Sequence, residues 1–344
     1  MRPSWLVAIG TSAGGLDALT RLVAQLPADF PGTLFIVQHL PADAKGEATL
    51  RALRNVSALP CEHARNGETF ERGRIYVAPP DHHMMVKKTT ILITKGAREN
   101  AWRPSVDPLF RSAAVAHGNR VIGVVLTGYL DDGTAGLVAI ERCGGVCIVQ
   151  DPADAAYPDM PQNALDQVKS AQRVPLAEMG AVLARLVQTK PGRRAPVPDD
   201  VVIEAKIAER VLSDLPSVRA VGDQVPFNCP GCGGVLWEVE EGDGLRYRCH
   251  TGHAFTAPVL LAEQSAKIEE TLWIALRMFE ERRNLLMKMA KSGPSRARGR
   301  EKLPRVGNAD IYASAAERGK EAGEHIERIR ELLRMGEGSG RKSR

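Results

Sequence analysis

The sequence predicts an α/β fold with a doubly wound, mostly parallel sheet, followed by a small cysteine-containing module and a C-terminal helical hairpin. Over the first 189 residues, short apolar runs rich in β-branched residues alternate with segments of helical periodicity. Such alternation is typical of an open sheet with helices packed on its faces. Beyond a proline-rich stretch, cysteines cluster and two long helical patterns follow.

The elements of the first part are assigned from these runs. Strands are predicted at 6–9, 32–39, 73–79, 120–126 and 145–149, with a small hairpin at 84–95. Helices are predicted at 16–26, 47–55, 103–117, from 134 onward, 162–170 and 176–189. Ser105 or Asp107 is expected near the cap of the helix within 103–117.

Composition changes along the chain divide it into five segments. We predict a first domain at 1–189, a linker at 190–226, a cysteine module at 227–256, a helical hairpin at 257–336 and a disordered tail at 337–344. The linker begins with the sequence KPGRRAPVPDD. One apolar stripe is expected on each hairpin helix, including Ile268, Leu272 and Phe279 on the first and Ile311, Ile326 and Leu333 on the second.

The composition indicates a globular protein of the cytoplasm. Hydrophobic residues make up 44% of the 344 residues, and the formal net charge is +5. The positive excess lies after Ser265, where a solvated helical face is favoured over a nucleic-acid surface. No run reaches transmembrane length and no signal-peptide pattern is present, so no membrane insertion is expected. Cys61, Cys143 and Cys147 are predicted to be reduced core thiols.

Ser12 lies in a glycine-rich turn between the first strand and the first helix. The turn can be read as a purely structural strand–helix connection or as a dinucleotide site. The spacing does not match G-x-G-x-x-G, however, and no P-loop lysine follows. The third reading is a nucleophilic serine, because the unpaired N–H groups at a helix start stabilise negative charge.

Polar residues follow three of the predicted strands: Ser12, His39 and either Asp131 or Asp132. The carboxyl ends of parallel strands meet at one edge of a sheet, where ligands bind. A histidine can accept the serine proton during attack, and a carboxylate can hold the imidazole in the required tautomer. This set of residues predicts acyl-transfer chemistry. The spacing alone does not choose between the two aspartates.

Five sequence blocks resemble the catalytic domain of CheB-type protein-glutamate methylesterases. They are IGTSAGG at 9–15, VQHLP at 37–41, YVAPPDHHM at 76–84, RPSVD at 103–107 and LTGYLDDG at 126–133. The resemblance covers about residues 4–188. It implies that Ser12 is the nucleophile, His39 the base and Asp132 the third triad member, with no cofactor for catalysis. The implied reaction is hydrolysis of glutamate methyl esters on chemoreceptor cytoplasmic helices, with release of methanol.

The chain departs from this family pattern at two places. Ala13 stands where the family often has threonine. The first catalytic strand starts within ten residues of Met1, which leaves no room for the receiver domain of well-studied members. Control by phosphorylation in cis is therefore expected to be absent. A separate response-regulator or signalling protein is then a candidate partner.

The cysteine module contains C-x2-C at Cys229 and Cys232, followed by Cys249 and His253. Three thiolates and an imidazole suit tetrahedral zinc, and His253 is favoured over His250, which adjoins Cys249. Disulfide pairing is the alternative, disfavoured in a reducing compartment. The module resembles the zinc-ribbon-like extension of some proteins with this esterase domain. Because it lies across the linker, loss of zinc is expected to leave small-ester hydrolysis intact.

We therefore predict a cytoplasmic protein-glutamate methylesterase, a carboxylic ester hydrolase of chemotaxis-type signalling. One alternative is a serine esterase or amidase with another substrate. A second is a non-catalytic adaptor that binds a protein or nucleic acid through the zinc module. Nucleic acid is disfavoured because aromatic and basic residues interleave only sparsely in that module.

Overall fold

The structure is a computed structural model that describes residues 5–41, 43–44, 46–209, 215–241, 244–292 and 314–339. It forms two compact units, Met1–Leu261 and Ala262–Arg344. The first unit contains the predicted sheet domain and also the cysteine module. Among the described residues, none of the helices combines the length and the apolar character needed to cross a membrane.

Among its described residues, the first unit contains nine strands before residue 190 and four after it. In chain order they are β1 Leu6–Thr11, β2 Thr33–Gln38, β3 Cys61–His63, β4 Ile75–Val77, β5 His83–Val86, β6 Ile91–Thr94, β7 Val121–Val125, β8 Val146–Gln150, β9 Gln172–Val174, β10 Gly222–Asn228, β11 Val235–Glu241, β12 Gly244–Cys249 and β13 Ala254–Thr256.

The helices alternate with the strands of the main sheet and then continue into the second unit. They are α1 Gly15–Val23, α2 Glu47–Val56, α3 Val106–His117, α4 Thr134–Arg142, α5 Asp159–Gln167, α6 Leu176–Leu186, α7 Asp199–Glu209, α8 Leu215–Arg219, α9 Ala257–Ser292 and α10 Ala315–Ser339. A short 3₁₀ turn, Gly118–Arg120, separates α3 from β7.

The main sheet has seven strands in the order β3-β4-β2-β1-β7-β8-β9, and every pairing within it is parallel. Strand β1 is central, and its neighbours are β2 and β7. The chain therefore winds to one side of β1 and then to the other, which confirms the predicted doubly wound α/β sheet. A crevice forms at such a reversal, outside the carboxyl ends of the strands.

Both faces of the main sheet are covered by apolar side chains. Strand β1 is buried along its whole length, and successive residues such as Val7 and Ala8 belong to separate hydrophobic clusters. Gly10 allows α3 to approach this strand closely, because a Cβ there would lie 2.2 Å from a methyl carbon of Val106. This close approach brings the start of α3 next to the end of β1.

Residues predicted as a linker, 190–226, have regular structure over much of their length. They include α7, α8 and the start of β10. Helix α7 packs on the main domain: its buried Glu204 contacts Arg111 of α3, and Arg142 of α4 donates two hydrogen bonds to Asp200. The periodicity of α7 was hidden by the neighbouring prolines, which dominate the local composition.

The cysteine module is a separate four-stranded antiparallel sheet in the order β10-β11-β12-β13. Its own hydrophobic cluster includes Cys229, Leu236, Tyr247 and Phe255. The six cysteines are free thiols, and Cys61, Cys143 and Cys147 are buried in the main domain as predicted.

The second unit contains most of α9 and the whole of α10. Leu276 packs with Ile326 and Ile329, and Arg330 forms an ion pair with Glu280 at 3.0 Å. Gly319, near the start of α10, lies close to Met287, near the end of α9, so the two helices are antiparallel. These contacts match the predicted hairpin. Ile311 and residues 340–344 of the predicted tail lie outside the described residues, and α10 itself extends to Ser339.

Candidate active site

Ser12 follows the last residue of β1 and begins the turn into α1. Its N–H donates to the carbonyl of Thr127, beyond β7, at 3.0 Å. Its own carbonyl accepts a hydrogen bond from Gln38 Nε2 at 2.8 Å. Bonds from both neighbouring strands therefore fix the Ser12 backbone, while 9% of the residue stays exposed at the edge of the sheet.

The turn after Ser12 presents backbone donors in the two residues that follow it. Gly14 has a φ of 72°, a left-handed conformation that favours glycine, and α1 begins at the next residue. Among the described residues, the N–H groups of Ala13 and Gly14 have no hydrogen-bond acceptor. Free N–H groups at a helix start can hold a developing negative charge, so this turn suits an oxyanion.

His39 follows β2 and lies beside the serine turn. Its N–H donates to the carbonyl of Thr11, the residue before Ser12, at 3.0 Å. Its ring Nε2 lies 2.6 Å from Oδ2 of Asp132, and both side chains are almost completely buried. The other ring nitrogen, Nδ1, is buried and has no hydrogen-bond partner. One nitrogen is therefore held by a carboxylate while the other is free to accept a proton.

Trp102 covers the imidazole of His39. The two ring planes are 13° apart and their centroids are separated by 4.6 Å. This stacking restricts rotation of the imidazole ring, which the hydrogen bond to Asp132 also restrains. The sequence analysis did not single out Trp102, since nothing in its spacing connects it with a histidine 63 positions earlier.

Asp132 lies at the N-terminus of α3, where it accepts several hydrogen bonds. Val106 N donates to Oδ2 at 2.7 Å, Ser105 Oγ donates to Oδ1 at 2.8 Å, and Asn100 Nδ2 donates to Oδ1 at 2.9 Å. Burial alone would raise the pKa of Asp132, but the hydrogen bond and charge of His39, with these donors, lower it to about 2. Asp132 is therefore held as a carboxylate.

Asp107 has the reciprocal position at the N-terminus of α4. Its Oδ1 accepts hydrogen bonds from Gly133 N at 3.1 Å and Gly136 N at 2.7 Å. Burial and then the charge of Asp132 raise the pKa of Asp107 to about 7. The two carboxyl groups thus join the starts of α3 and α4. Ser105, expected near the cap of α3, is at its N-cap position, but its hydroxyl bonds to Asp132.

The structure gives different contacts to the two adjacent aspartates, Asp131 and Asp132, between which the sequence spacing could not choose the triad member. Asp132 contacts His39, whereas Oδ1 of Asp131 accepts a hydrogen bond from the hydroxyl of Thr256 at 2.8 Å. Thr256 ends β13 of the cysteine module. The loop after β7 therefore contacts the histidine through one carboxylate and the module through the other.

Asn100 was missed by the sequence analysis and lies at the centre of this arrangement. It is 3% exposed and donates through Nδ2 to Asp132 and to Asp107, each at 2.9 Å. Its Oδ1 accepts the N–H of Thr256 at 3.2 Å. Its φ of 51° is in the left-handed region, which asparagine tolerates better than most residues.

The predicted metal ligands Cys229, Cys232, Cys249 and His253 are brought together. Their ligand atoms all lie within 4.8 Å of one another. Three thiols and one imidazole in this arrangement form a donor set that can hold a metal ion. His250, the alternative histidine, is not in the cluster.

A buried ion network, also missed by the sequence analysis, joins the main domain, α7 and the cysteine module. Glu99 contacts Arg111 of α3 and lies 3.1 Å from Arg248 of β12. Glu204 of α7 lies 3.0 Å from Arg246 and 3.5 Å from Arg248. Burial opposes ionisation of Glu204, but the surrounding arginines outweigh it and lower its pKa. The main domain and the module are therefore not separated, contrary to the prediction.

Comparisons with known proteins agree with this site. The family model described as CheB methylesterase matches residues 7–183. The crystal structure of the Thermotoga maritima CheB methylesterase catalytic domain superposes with a TM-score of 0.52 and 30% identity, covering 54% of this chain and 100% of that one. A protein of Leptospira interrogans is 36% identical over 183 residues, which are 53% of this chain and 94% of that protein.

Two further relatives are both named protein-glutamate methylesterase/protein-glutamine glutaminase. The protein of Anaeromyxobacter dehalogenans is 40% identical over 45% of this chain, and that of Caulobacter vibrioides is 37% identical over 53% of it. The chain spans about half the length of each, 46% and 54% respectively. The family match includes Ser12, His39 and Asp132 and extends over more than half of the sequence. The chain therefore belongs to the CheB methylesterase family.

Proposed function

We propose that this protein is a serine hydrolase that removes methyl groups from glutamate 5-O-methyl esters of chemoreceptor proteins in chemotaxis-type signalling. The observation that carries the proposal is His39, a residue beside the Ser12 turn that binds Asp132 through Nε2 and keeps Nδ1 unpaired. The names of the relatives from A. dehalogenans and C. vibrioides support the substrate class.

In the proposed reaction, the Ser12 hydroxyl attacks the ester carbonyl and His39 Nδ1 takes its proton. The N–H groups of Ala13 and Gly14 hold the oxyanion of the tetrahedral intermediate. His39 then gives the proton to the departing methoxide, which leaves as methanol and yields a glutamyl ester of Ser12. Water, deprotonated by His39, hydrolyses that ester to glutamate and free Ser12.

Asp132 has a supporting role in this scheme. It accepts the Nε2 proton of His39 and so places the lone pair of the neutral imidazole on Nδ1. It also stabilises the imidazolium that forms during each half-reaction. A carboxylate with a pKa of about 2 keeps its charge over the whole physiological range.

The substrates and partners proposed here follow from the family. The methylated cytoplasmic helices of chemoreceptors are the proposed substrate, and the cytoplasm is the proposed location. A separate response-regulator or signalling protein is a proposed partner. The relatives' names also include glutaminase activity, and the same residues could hydrolyse a glutamine amide with ammonia as the leaving group.

The triad assignment is tested by methanol release from a methylated receptor preparation. Ser12→Ala and His39→Ala are each expected to lower turnover by several orders of magnitude, because the residues act as a unit. Asp132→Asn is expected to lower turnover far more than Asp131→Asn. Near wild-type methanol release by Ser12→Ala would contradict the nucleophile assignment. A larger loss for Asp131→Asn than for Asp132→Asn would move the third role to Asp131.

We also propose that the cluster Cys229, Cys232, Cys249 and His253 holds a structural zinc ion. Three thiolates and an imidazole are a donor set of structural zinc sites, and a tetrahedral ion would leave no open position for substrate. The module has a small hydrophobic cluster, so an ion there would contribute to its folding.

Elemental analysis tests this proposal on freshly prepared, reduced protein. About one zinc per chain is expected, and Cys232→Ser is expected to lower that content. Cys61→Ser is the matched control, since Cys61 is a buried thiol of β3 outside the cluster. Absence of zinc from reduced wild-type protein would overturn the assignment.

A further inference from the structure

The last strand of the cysteine module lies along the loop that holds the triad carboxylate. Asn100 N donates to the carbonyl of Ala254 in β13 at 2.8 Å. Ala254 N donates in return to the carbonyl of Arg98 at 3.4 Å, and Glu99 pairs with Ala254 in a parallel bridge. The module therefore continues its hydrogen bonding directly into residues 98–100 of the main domain.

The side chain of Asn100 connects the module to Asp132 through hydrogen bonds. Its amide nitrogen donates to two carboxylates, Asp132 and Asp107, and its oxygen accepts the Thr256 N–H. These partners permit only one orientation of the amide, because exchange of its oxygen and nitrogen would place an acceptor against the Asp132 carboxylate and a donor against the Thr256 N–H. Thr256 N–H therefore holds Asn100 in the orientation in which it can bind Asp132.

Two of the metal ligands flank the turn that leads into the strand supplying Thr256. Cys249 ends β12 and His253 immediately precedes β13. The turn between them is closed by a hydrogen bond from Cys249 N to the His253 carbonyl at 2.9 Å. An ion that binds Cys249 and His253 would thus fix both ends of this turn and the start of β13.

Arg248 makes a second connection between this turn and the triad loop. It is fully buried, donates through one nitrogen to the Gly252 carbonyl at 3.1 Å, and lies 3.1 Å from Glu99 through another. Glu99 directly precedes Asn100. The turn that carries the metal ligands is therefore tied to the loop by side-chain and by backbone contacts.

We propose that Asn100 is a positioning residue for the triad and that the metal-bound module holds it in place, so that metal loading controls the reactivity of Ser12. The path runs from the Cys249–His253 turn through β13 and Thr256 N–H to Asn100, and from its amide to Asp132 and His39. The inference rests on the proposed serine-hydrolase function, because it concerns the same triad.

The test uses the full chain and a serine-directed fluorophosphonate, which reports the reactivity of Ser12 without any receptor substrate. Four samples are compared: wild type and Asn100→Gly, each loaded with zinc or stripped by a chelator. Glycine suits the φ of 51° at this position and removes only the side chain. Zinc content and hydrogen exchange of the β1 amides are measured on every sample.

In wild type, stripping the metal is expected to slow Ser12 labelling by roughly 10- to 100-fold, the range for losing a hydrogen bond to a charged group. Zinc-loaded Asn100→Gly is expected to show a similar loss with unchanged zinc content. Removal of the metal from Asn100→Gly should slow Ser12 labelling by a factor at least about threefold smaller than in wild type, because two changes that act through the same contacts do not multiply their effects. Returning zinc should restore the wild-type rate.

Equal labelling of loaded and stripped wild type would overturn the inference. Labelling of zinc-loaded Asn100→Gly at the wild-type rate would also overturn it. So would an equal slowing of labelling when the metal is stripped from Asn100→Gly and from wild type, which is the result expected if stripping simply unfolds the protein. Failure of the proposed function has a different result: Ser12→Ala would then be labelled as fast as wild type. As a chelator-free check, Cys232→Ser should be slow and Cys61→Ser should match wild type.

Discussion

At the residue scale, Asp131 and Asp132 show how two adjacent carboxyl groups acquire opposite properties. Burial raises the pKa of Asp131 to about 6, and a hydrogen bond from Thr256 only partly opposes this. The pKa of Asp132 is lowered, despite its burial, by His39 and the N-terminus of α3. The first position therefore favours the protonated acid up to about pH 6, whereas the second keeps its group ionised.

This difference predicts a pH-dependent effect of Asp131→Asn on stability. The folded state binds the Asp131 proton more tightly than the unfolded state, so wild type loses stability as the pH rises from 3.8 through about 6. The neutral variant keeps the oxygen that accepts from Thr256. The unfolding free energy of the variant relative to that of wild type should therefore increase by on the order of 1 kcal/mol from pH 5 to pH 7.5.

Denaturant unfolding of both proteins at the two pH values checks this expectation. Asp29→Asn, at an exposed position, is the control and should show no such change. A relative stability of Asp131→Asn that stays constant, or falls, from pH 5 to pH 7.5 would contradict the raised pKa of Asp131.

At the scale of elements, the N-terminus of each of the helices α3 and α4 is capped by a carboxyl group from the other helix or the residues before it. Asp132, before α4, accepts from the first residue of α3, and Asp107, in the first turn of α3, accepts from Gly133 and Gly136. Each carboxylate satisfies N–H groups that a helix start leaves unpaired. The triad carboxylate is therefore part of the packing of these two helices, and the amide of Asn100 supplies one further donor to it.

The sequence predicted elements of this kind with different success. Helices α1 to α6 and the long buried strands lie close to their predicted positions because their apolar patterns are strong. Strands β3 and β9 were missed because each has three residues of which two are polar, whereas the equally short β4 is wholly buried. Ser105 was recognised as a residue near the cap, but its bond to Asp132 depends on a residue 27 positions away.

The residues that complete the site were the hardest to predict. Asn100 and Trp102 belong to none of the regular elements, and their partners come from distant parts of the chain. The ion network was missed for the same reason, because Glu99 and Arg248 are 149 positions apart. A buried charge cannot be told from an exposed one by local pattern when its partner comes from another segment.

At the scale of the whole molecule, residues before and after 190 are joined by buried charges. Glu204 is 2% exposed and contacts Arg111 of the main domain as well as Arg246 and Arg248 of the module. Removing one partner from such a group leaves unpaired buried charge, which costs far more than a lost surface ion pair. We therefore expect Met1–Leu261 to unfold as one cooperative unit.

Glu204→Gln tests that expectation. The variant should lose about 3 kcal/mol of unfolding free energy, because three arginines are left with less negative charge. Hydrogen exchange should accelerate in β1 and β12 peptides together. Glu270→Gln is the control: its ion pair with Lys267 is 58% exposed on each side and should contribute less than about 1 kcal/mol. Loss of protection in β12 alone would indicate an independent module.

The ion network also has a consequence for how this sequence can vary among its relatives. Glu99 and Arg111 lie inside the region shared with the family, whereas Glu204, Arg246 and Arg248 lie beyond it. If the extension were joined to a catalytic domain without a glutamate at 99 and an arginine at 111, the charges of Glu204 and Arg248 would be buried without their partners at those positions. Positions 204, 246 and 248 should therefore covary with positions 99 and 111 in homologues that carry the extension, and positions 99 and 111 should be released from that constraint in homologues that lack it.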